Sequence, residues 1–127
     1  MRYIFVMFLW NVLLLVSAQV KDNMLLKEYF DDAEYFFNRE EYNEAAYYYK
    51  KLLEAFPDNA NYNFKAGECY LNIPGEEVKA IPFLEKSIKS VVEKKKYRKR
   101  LFEENNAPLH AYYYLGNAYR INNQLDK

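Results

Sequence analysis

From Tyr3 to Val16 the chain is apolar at every position except Asn11, and only after that does polar sequence begin to alternate with it. A single positive residue, Arg2, precedes the run, and Val16-Ser17-Ala18 closes it with a small side chain. A positive start, an apolar centre and a small-residue exit form the three-part pattern of a secretory leader, with the cut expected after Ala18. A bilayer-spanning helix needs about 20 apolar residues, so an uncleaved anchor is the lesser alternative. Cys69 is the only cysteine and lies far from this segment, which argues against a lipid-modified terminus.

Beyond the leader the apolar spacing is helical. Tyr42, Ala45, Ala46, Tyr49, Leu52, Leu53 and Phe56 recur three and four apart, the spacing of one helix face. Pro57-Asp58-Asn59 ends that helix, because proline disfavours helical geometry in the residue before it. Three segments share a second pattern: a small residue followed three places later by an aromatic. The pairs are Ala33 with Phe36, Gly67 with Tyr70, and Gly116 with Tyr119. Residues three apart lie on one face of a helix. The small residue admits a neighbouring helix, and the ring fills the space one turn along. Ala33 to Gly67 spans 34 residues and Gly67 to Gly116 spans 49, so an insertion of 15 separates the second and third units. Pro74-Gly75 marks a turn inside the second unit. Pro82 predicts a late start or a kink in its second helix, since proline is tolerated only in a first turn.

In this register the chain resembles the tetratricopeptide repeat family, with Tyr42 in the turn and Ala45, Tyr49 and Pro57 on signature positions. It departs from the family at Asp32, where leucine is usual, and lacks the proline that usually follows the second unit. The resemblance implies an all-α solenoid of antiparallel helix pairs. After a leader over 1–18, the repeat region covers 19–127. Its repeats fall at about 26–59, 60–92 and 109–127, the last truncated, with an insertion at about 93–108. A narrower likeness rests on Asn61-x-x-Phe64-Lys65-Ala66-Gly67-Glu68-Cys69-Tyr70, on Lys79 to Ile88 and on Ala107 to Gly116. These stretches resemble the N-terminal module of bacterial envelope proteins that carry a WD40-like β-propeller and an OmpA-like peptidoglycan-binding domain, some of them associated with type IX secretion and gliding. That likeness implies a periplasmic, outer-membrane-associated scaffold, touching peptidoglycan or outer-membrane components through later domains.

Composition changes the picture little. Three glycines, four prolines and no threonine disfavour a many-stranded sheet. One cysteine excludes an internal disulfide, so packing must supply stability. Removing 1–18 takes away one basic residue, Arg2, leaving 17 basic against 18 acidic, with no general pull towards nucleic acid. Lys94-Lys95-Lys96-Tyr97-Arg98-Lys99-Arg100 is strongly basic and reads first as a solvated loop or helix end, second as an anionic contact. A lone histidine, His110, and a lone cysteine, expected to be a buried structural thiol, support neither a metal site nor a Cys/His nucleophile. The expected chemistry is therefore neither catalytic nor cofactor-dependent.

By the family's positions, the concave groove is lined by Lys27, Phe30, Glu34, Phe37 and Asn38, then Asn61, Phe64, Glu68, Leu71 and Asn72, then His110, Tyr113, Asn117, Arg120 and Ile121. Rings there supply burial, while amides and arginine hold a peptide backbone or carboxylate. Each ring taken alone reads first as packing between repeats. The implied function is a protein–protein scaffold of the cell envelope that takes a partner segment in this groove. The alternative is a purely structural spacer, its groove empty or filled by the chain itself.

Overall fold

The computed structural model describes residues 2–125, with side chains described over 6–123. The protein is all-α apart from one two-residue bridge.

The first helix, α1, runs without interruption over Arg2–Asn38. No glycine or proline falls in that stretch, so nothing in the backbone marks the expected join between leader and repeat. The change is chemical. Val6 to Val16 is exposed on all sides, whereas Phe30 and Ala33 are buried. Among the described residues no helix is long and apolar enough to cross a membrane.

Glu40, at φ 62°, turns the chain, with Glu41 N–H donating to Phe36 O at 3.0 Å. Helix α2, Tyr42–Ala55, follows and buries Ala45, Ala46, Tyr49 and Leu52, the face its spacing predicts. Helix α3, Ala60–Leu71, is capped by Asn59, whose side chain accepts from Tyr62 N–H at 2.9 Å. Such caps satisfy one of the helix's orphan donors.

The Pro74-Gly75 turn forms as expected. Glu76 N–H donates to Ile73 O at 3.0 Å, and Gly75 sits at φ 85°, where a glycine is favoured. A 3₁₀ turn at Glu77–Lys79 leads into α4, Ala80–Ser87. Pro82 is the third residue of α4, inside the first turn, so the helix starts late and loses no internal hydrogen bond. Strand β1, Val91–Val92, pairs in parallel with β2, Ala107–Pro108, and clips the two ends of the insertion together. Helix α5 spans Ala111–Leu125.

Packing runs in series: α1 on α2, α2 on α3, α3 on α4 and α4 on α5. The three recurring small residues differ in their surroundings. Ala33 is fully buried. A Cβ on Gly67 would stand 2.6 Å from Leu84 Cγ and 2.7 Å from Leu84 Cδ2, so α4 nests against α3 where a side chain is missing. Gly116 departs from the expectation: it is exposed, with nothing within 4 Å of where a Cβ would lie.

Candidate functional site: the α1–α3 face and its covering loop

The insertion folds back over part of α1 and α3, where it meets three of the expected groove residues, Phe30, Phe37 and Asn61. The Phe102 ring meets Phe30 edge-on at 5.8 Å between centroids, and its carbonyl accepts from Tyr62 Oη at 2.5 Å. Tyr97 Oη donates to Asn61 Oδ1 at 2.6 Å. The Lys99 ammonium lies 5.7 Å from the Phe37 ring centroid, within reach of a cation–π attraction. Asn59, already the cap of α3, also donates from Nδ2 to Glu104 O at 3.2 Å and Asn105 Oδ1 at 3.0 Å. One asparagine therefore joins the start of α3 to the end of the loop, and Ala60 N–H adds a bond to Asn105 O at 3.2 Å.

The loop has its own internal brace. Glu104 is buried and accepts from Arg98 N–H at 2.9 Å, Asn106 N–H at 2.9 Å and Asn106 Nδ2 at 3.1 Å. Burial alone would raise its carboxyl pKa. The hydrogen bonds to the charged form outweigh that and hold it below the usual carboxylate range.

Beneath the loop lies a buried polar cluster. Lys65, fully buried, donates from Nζ to Glu34 Oε1 at 2.8 Å. The same oxygen accepts from Tyr49 Oη at 2.5 Å. The ammonium also lies 4.6 Å from the Phe37 ring centroid. Burial pulls the Lys65 pKa down, partly countered by Glu34. Burial likewise pushes the Tyr49, Tyr62 and Tyr97 hydroxyls well up. Glu34 Oε2 and Asn61 Nδ2 are buried in the same cluster without a hydrogen-bond partner. Nothing in the sequence pattern singles out Lys65. It reads there as one more polar residue, and its carboxylate partner stands 31 positions away.

The expected groove positions thus separate into three groups. Phe30, Glu34, Asn61 and Phe64 are buried in this arrangement. Phe64 packs on His110 at 5.4 Å and Tyr114 at 5.5 Å, joining α3 to α5, as the packing reading of the rings has it. Phe37, Glu68, Leu71, Asn117 and Ile121 are half-buried. Glu68 accepts from Tyr114 Oη at 3.3 Å, and burial raises its carboxyl pKa. Lys27, Asn38, Asn72, His110, Tyr113 and Arg120 are exposed. Asn38 and Asn72 each donate from Nδ2 to the carbonyl four residues earlier, Glu34 and Glu68, closing the ends of α1 and α3 in the same way.

Cys69 is fully buried, and burial pushes its thiol pKa far up, away from the reactive thiolate. Among the described residues no three His, Cys, Asp or Glu side chains come together as a metal site would require. What the arrangement offers chemically is a roofed, hydrogen-bonded floor under a strongly basic loop, with Asn72, His110, Tyr113 and Arg120 exposed at the α3–α5 end and Lys27 and Asn38 exposed on α1. The chain matches no protein-family model, and no curated protein or solved structure matches it.

Proposed function

We propose that the chain is a tetratricopeptide-type scaffold of the bacterial cell envelope, exported by residues 1–18, that binds a partner protein. The supporting observation is the nesting of α4 on α3 at Gly67, where the missing side chain sets the helix approach at a 34-residue spacing from buried Ala33. Serial packing of consecutive helices supports the same reading. The loop closes the α1–α3 end, so the partner is assigned to the α3–α5 end, with Tyr113 exposed and Asn117, Leu71 and Asn72 at least partly accessible.

A photo-cross-linking side chain placed at Tyr113 or Asn117, in cells, should give the same discrete cross-linked species from both positions. The control position Tyr47, exposed on α2, should not give it. Identical products from all three positions, or none from any, would defeat the reading. Export is checked separately by fusing residues 1–30 to a reporter active only outside the cytoplasm.

The covered α1–α3 face favours a second reading, in which the helices only space apart the propeller and peptidoglycan-binding domains implied by the family likeness. On that reading the Tyr113 and Asn117 positions cross-link to nothing, while Gly67 keeps its structural role.

A further inference from the structure

The covering loop carries the densest charge in the chain. Lys94, Lys95, Lys96, Arg98, Lys99 and Arg100 are all exposed. From Glu93 to Glu104 these six cations face three carboxylates, Glu93, Glu103 and Glu104. Of the three, Glu104 is buried and turned inward on the backbone and side-chain donors of the loop itself. Lys95 reaches Glu93 only at 3.9 Å, with both groups exposed, and such pairs contribute little. The surface of the loop is therefore left basic.

A basic run on a free loop would be ordinary solvated polarity. This one is held. Tyr97, in the middle of the run, turns its hydroxyl inward to Asn61 Oδ1 at 2.6 Å, and Asn61 is fully buried. Phe102, just after the run, sits edge-on against Phe30. Lys96 N–H and Tyr97 N–H both donate to Glu93 O, at 2.9 and 3.2 Å, and wind the run into a turn. The two non-basic rings point into the protein while their basic neighbours stay exposed. Ordering that a free loop would have to undergo on binding is already complete, which favours tight electrostatic association.

The geometry points to a basic platform, built from residues 94–100 and held on the α1–α3 face by Tyr97 and Phe102, that docks a short acidic segment of a partner protein. Charge balance selects the partner class. The whole chain has formal net charge +0 and an isoelectric point of about 6.6. An extended polyanion, such as a nucleic acid or an anionic bilayer, would meet the rest of that surface as well as the platform, and binders of nucleic acid are usually basic over a whole domain. A short acidic segment meets the platform alone. The platform is a different surface from the α3–α5 end, so cross-linking from Tyr113 and probe binding to the loop fail independently.

The test is fluorescence anisotropy of a labelled decaglutamate peptide with the full 127-residue chain at low salt. Binding is expected, weakening steeply as salt shortens the range of charge interaction. The triple variant Lys96→Glu, Arg98→Glu, Arg100→Glu should weaken it at least about tenfold, whereas Lys94→Arg with Lys96→Arg should leave it intact. Tyr97→Phe keeps every charge and removes only the hydroxyl that fixes the run; it should weaken binding about threefold or more with helix content unchanged. The proposal is overturned by no binding at low salt, or by unchanged binding in either the charge-reversed or the Tyr97→Phe variant. Tighter binding of decathymidylate or of phosphatidylglycerol vesicles would also overturn it, as would self-association of the chain that the same reversals abolish.

Discussion

The most incisive perturbation is a single methyl group added at two glycines that share a position in the repeat register. Gly67→Ala places a Cβ 2.6 Å from Leu84 Cγ and 2.7 Å from Leu84 Cδ2, with Ala80 O at an ordinary 3.5 Å. Leu84 is fully buried, and the nearer atom is its branch point rather than a free end, so it cannot swing into solvent. Overpacking of this kind costs about 1–3 kcal/mol. Replacing glycine by alanine inside a helix returns about 0.5–1 kcal/mol. The first effect wins, for a net loss of about 1–2 kcal/mol. Gly116→Ala adds the same methyl inside α5 with nothing within 4 Å. Only the helix term remains there, and stability should rise by about 0.5–1 kcal/mol. Urea unfolding followed by far-ultraviolet circular dichroism reads both signs, and in a thermal scan about 1 kcal/mol corresponds to a shift of about 4 °C in Tm. A cycle with Leu84→Ala sharpens the test. That change alone costs about 2–5 kcal/mol, and the double variant should lose at least about 1 kcal/mol less than the two single changes combined, because the new methyl fills the vacated space. If Gly67→Ala and Gly116→Ala were equally benign, or the cycle showed no coupling, helix nesting at Gly67 would be refuted, and with it the main support for the repeat assignment.

Further outcomes follow from the buried cluster, the turns and the loop. Lys65→Met leaves the Glu34 carboxylate buried without its cation and should cost about 3 kcal/mol or more; the double change Lys65→Met with Glu34→Gln should recover part of this in the same unfolding assay. The buried tyrosines carry raised hydroxyl pKa values in the folded state, with Tyr114 pushed up to about 12 by burial. A group whose folded value lies above its unfolded one contributes stability below the unfolded value and loses it as pH rises. The protein should therefore weaken above about pH 10, with part of the tyrosinate absorbance appearing only together with loss of helix; Lys65, whose pKa is lowered, works in the opposite direction just below that range. Titration of all 14 tyrosines with helix content intact would contradict the burial. Glu104, held low, contributes stability that is present above the usual carboxylate range and lost as pH falls, so amide protons of the loop should exchange faster in acid than those of α2. Glu40→Gly relieves the left-handed backbone at φ 62° and should raise stability by about 1 kcal/mol in urea unfolding.

The elements that announce themselves through periodicity were readable from the chain. Helix α2, the Pro57 stop, the Pro74-Gly75 turn and the late start at Pro82 each follow from local chemistry acting over a few residues. What periodicity could not convey is the path of 93–106. Its anchoring rings, Tyr97 and Phe102, are isolated within a polar run and find their partners 36 positions away at Asn61 and 72 away at Phe30. The candidate groove was therefore expected to be open, and its floor was legible only as a set of polar positions on helix faces. Lys65 was hidden for the same reason, since a lysine on a helix reads as solvated until a carboxylate from another helix closes on it. Gly116 was overread: it shares the spacing of Ala33 and Gly67, yet nothing lies within 4 Å of where its Cβ would be.

The unbroken course of α1 has a consequence for the proposed processing. Scission after Ala18 would sever a helix in mid-course, releasing an ammonium at Gln19 and freeing several amide protons at once. Positive charge at that pole opposes the alignment of the peptide dipoles, and no capping side chain stands there. Asp22, one turn further on, would supply the compensating negative charge. The new end should fray back towards Leu26, where the first packed side chains begin, so that export would leave a soft tip ahead of the packed part of the helix.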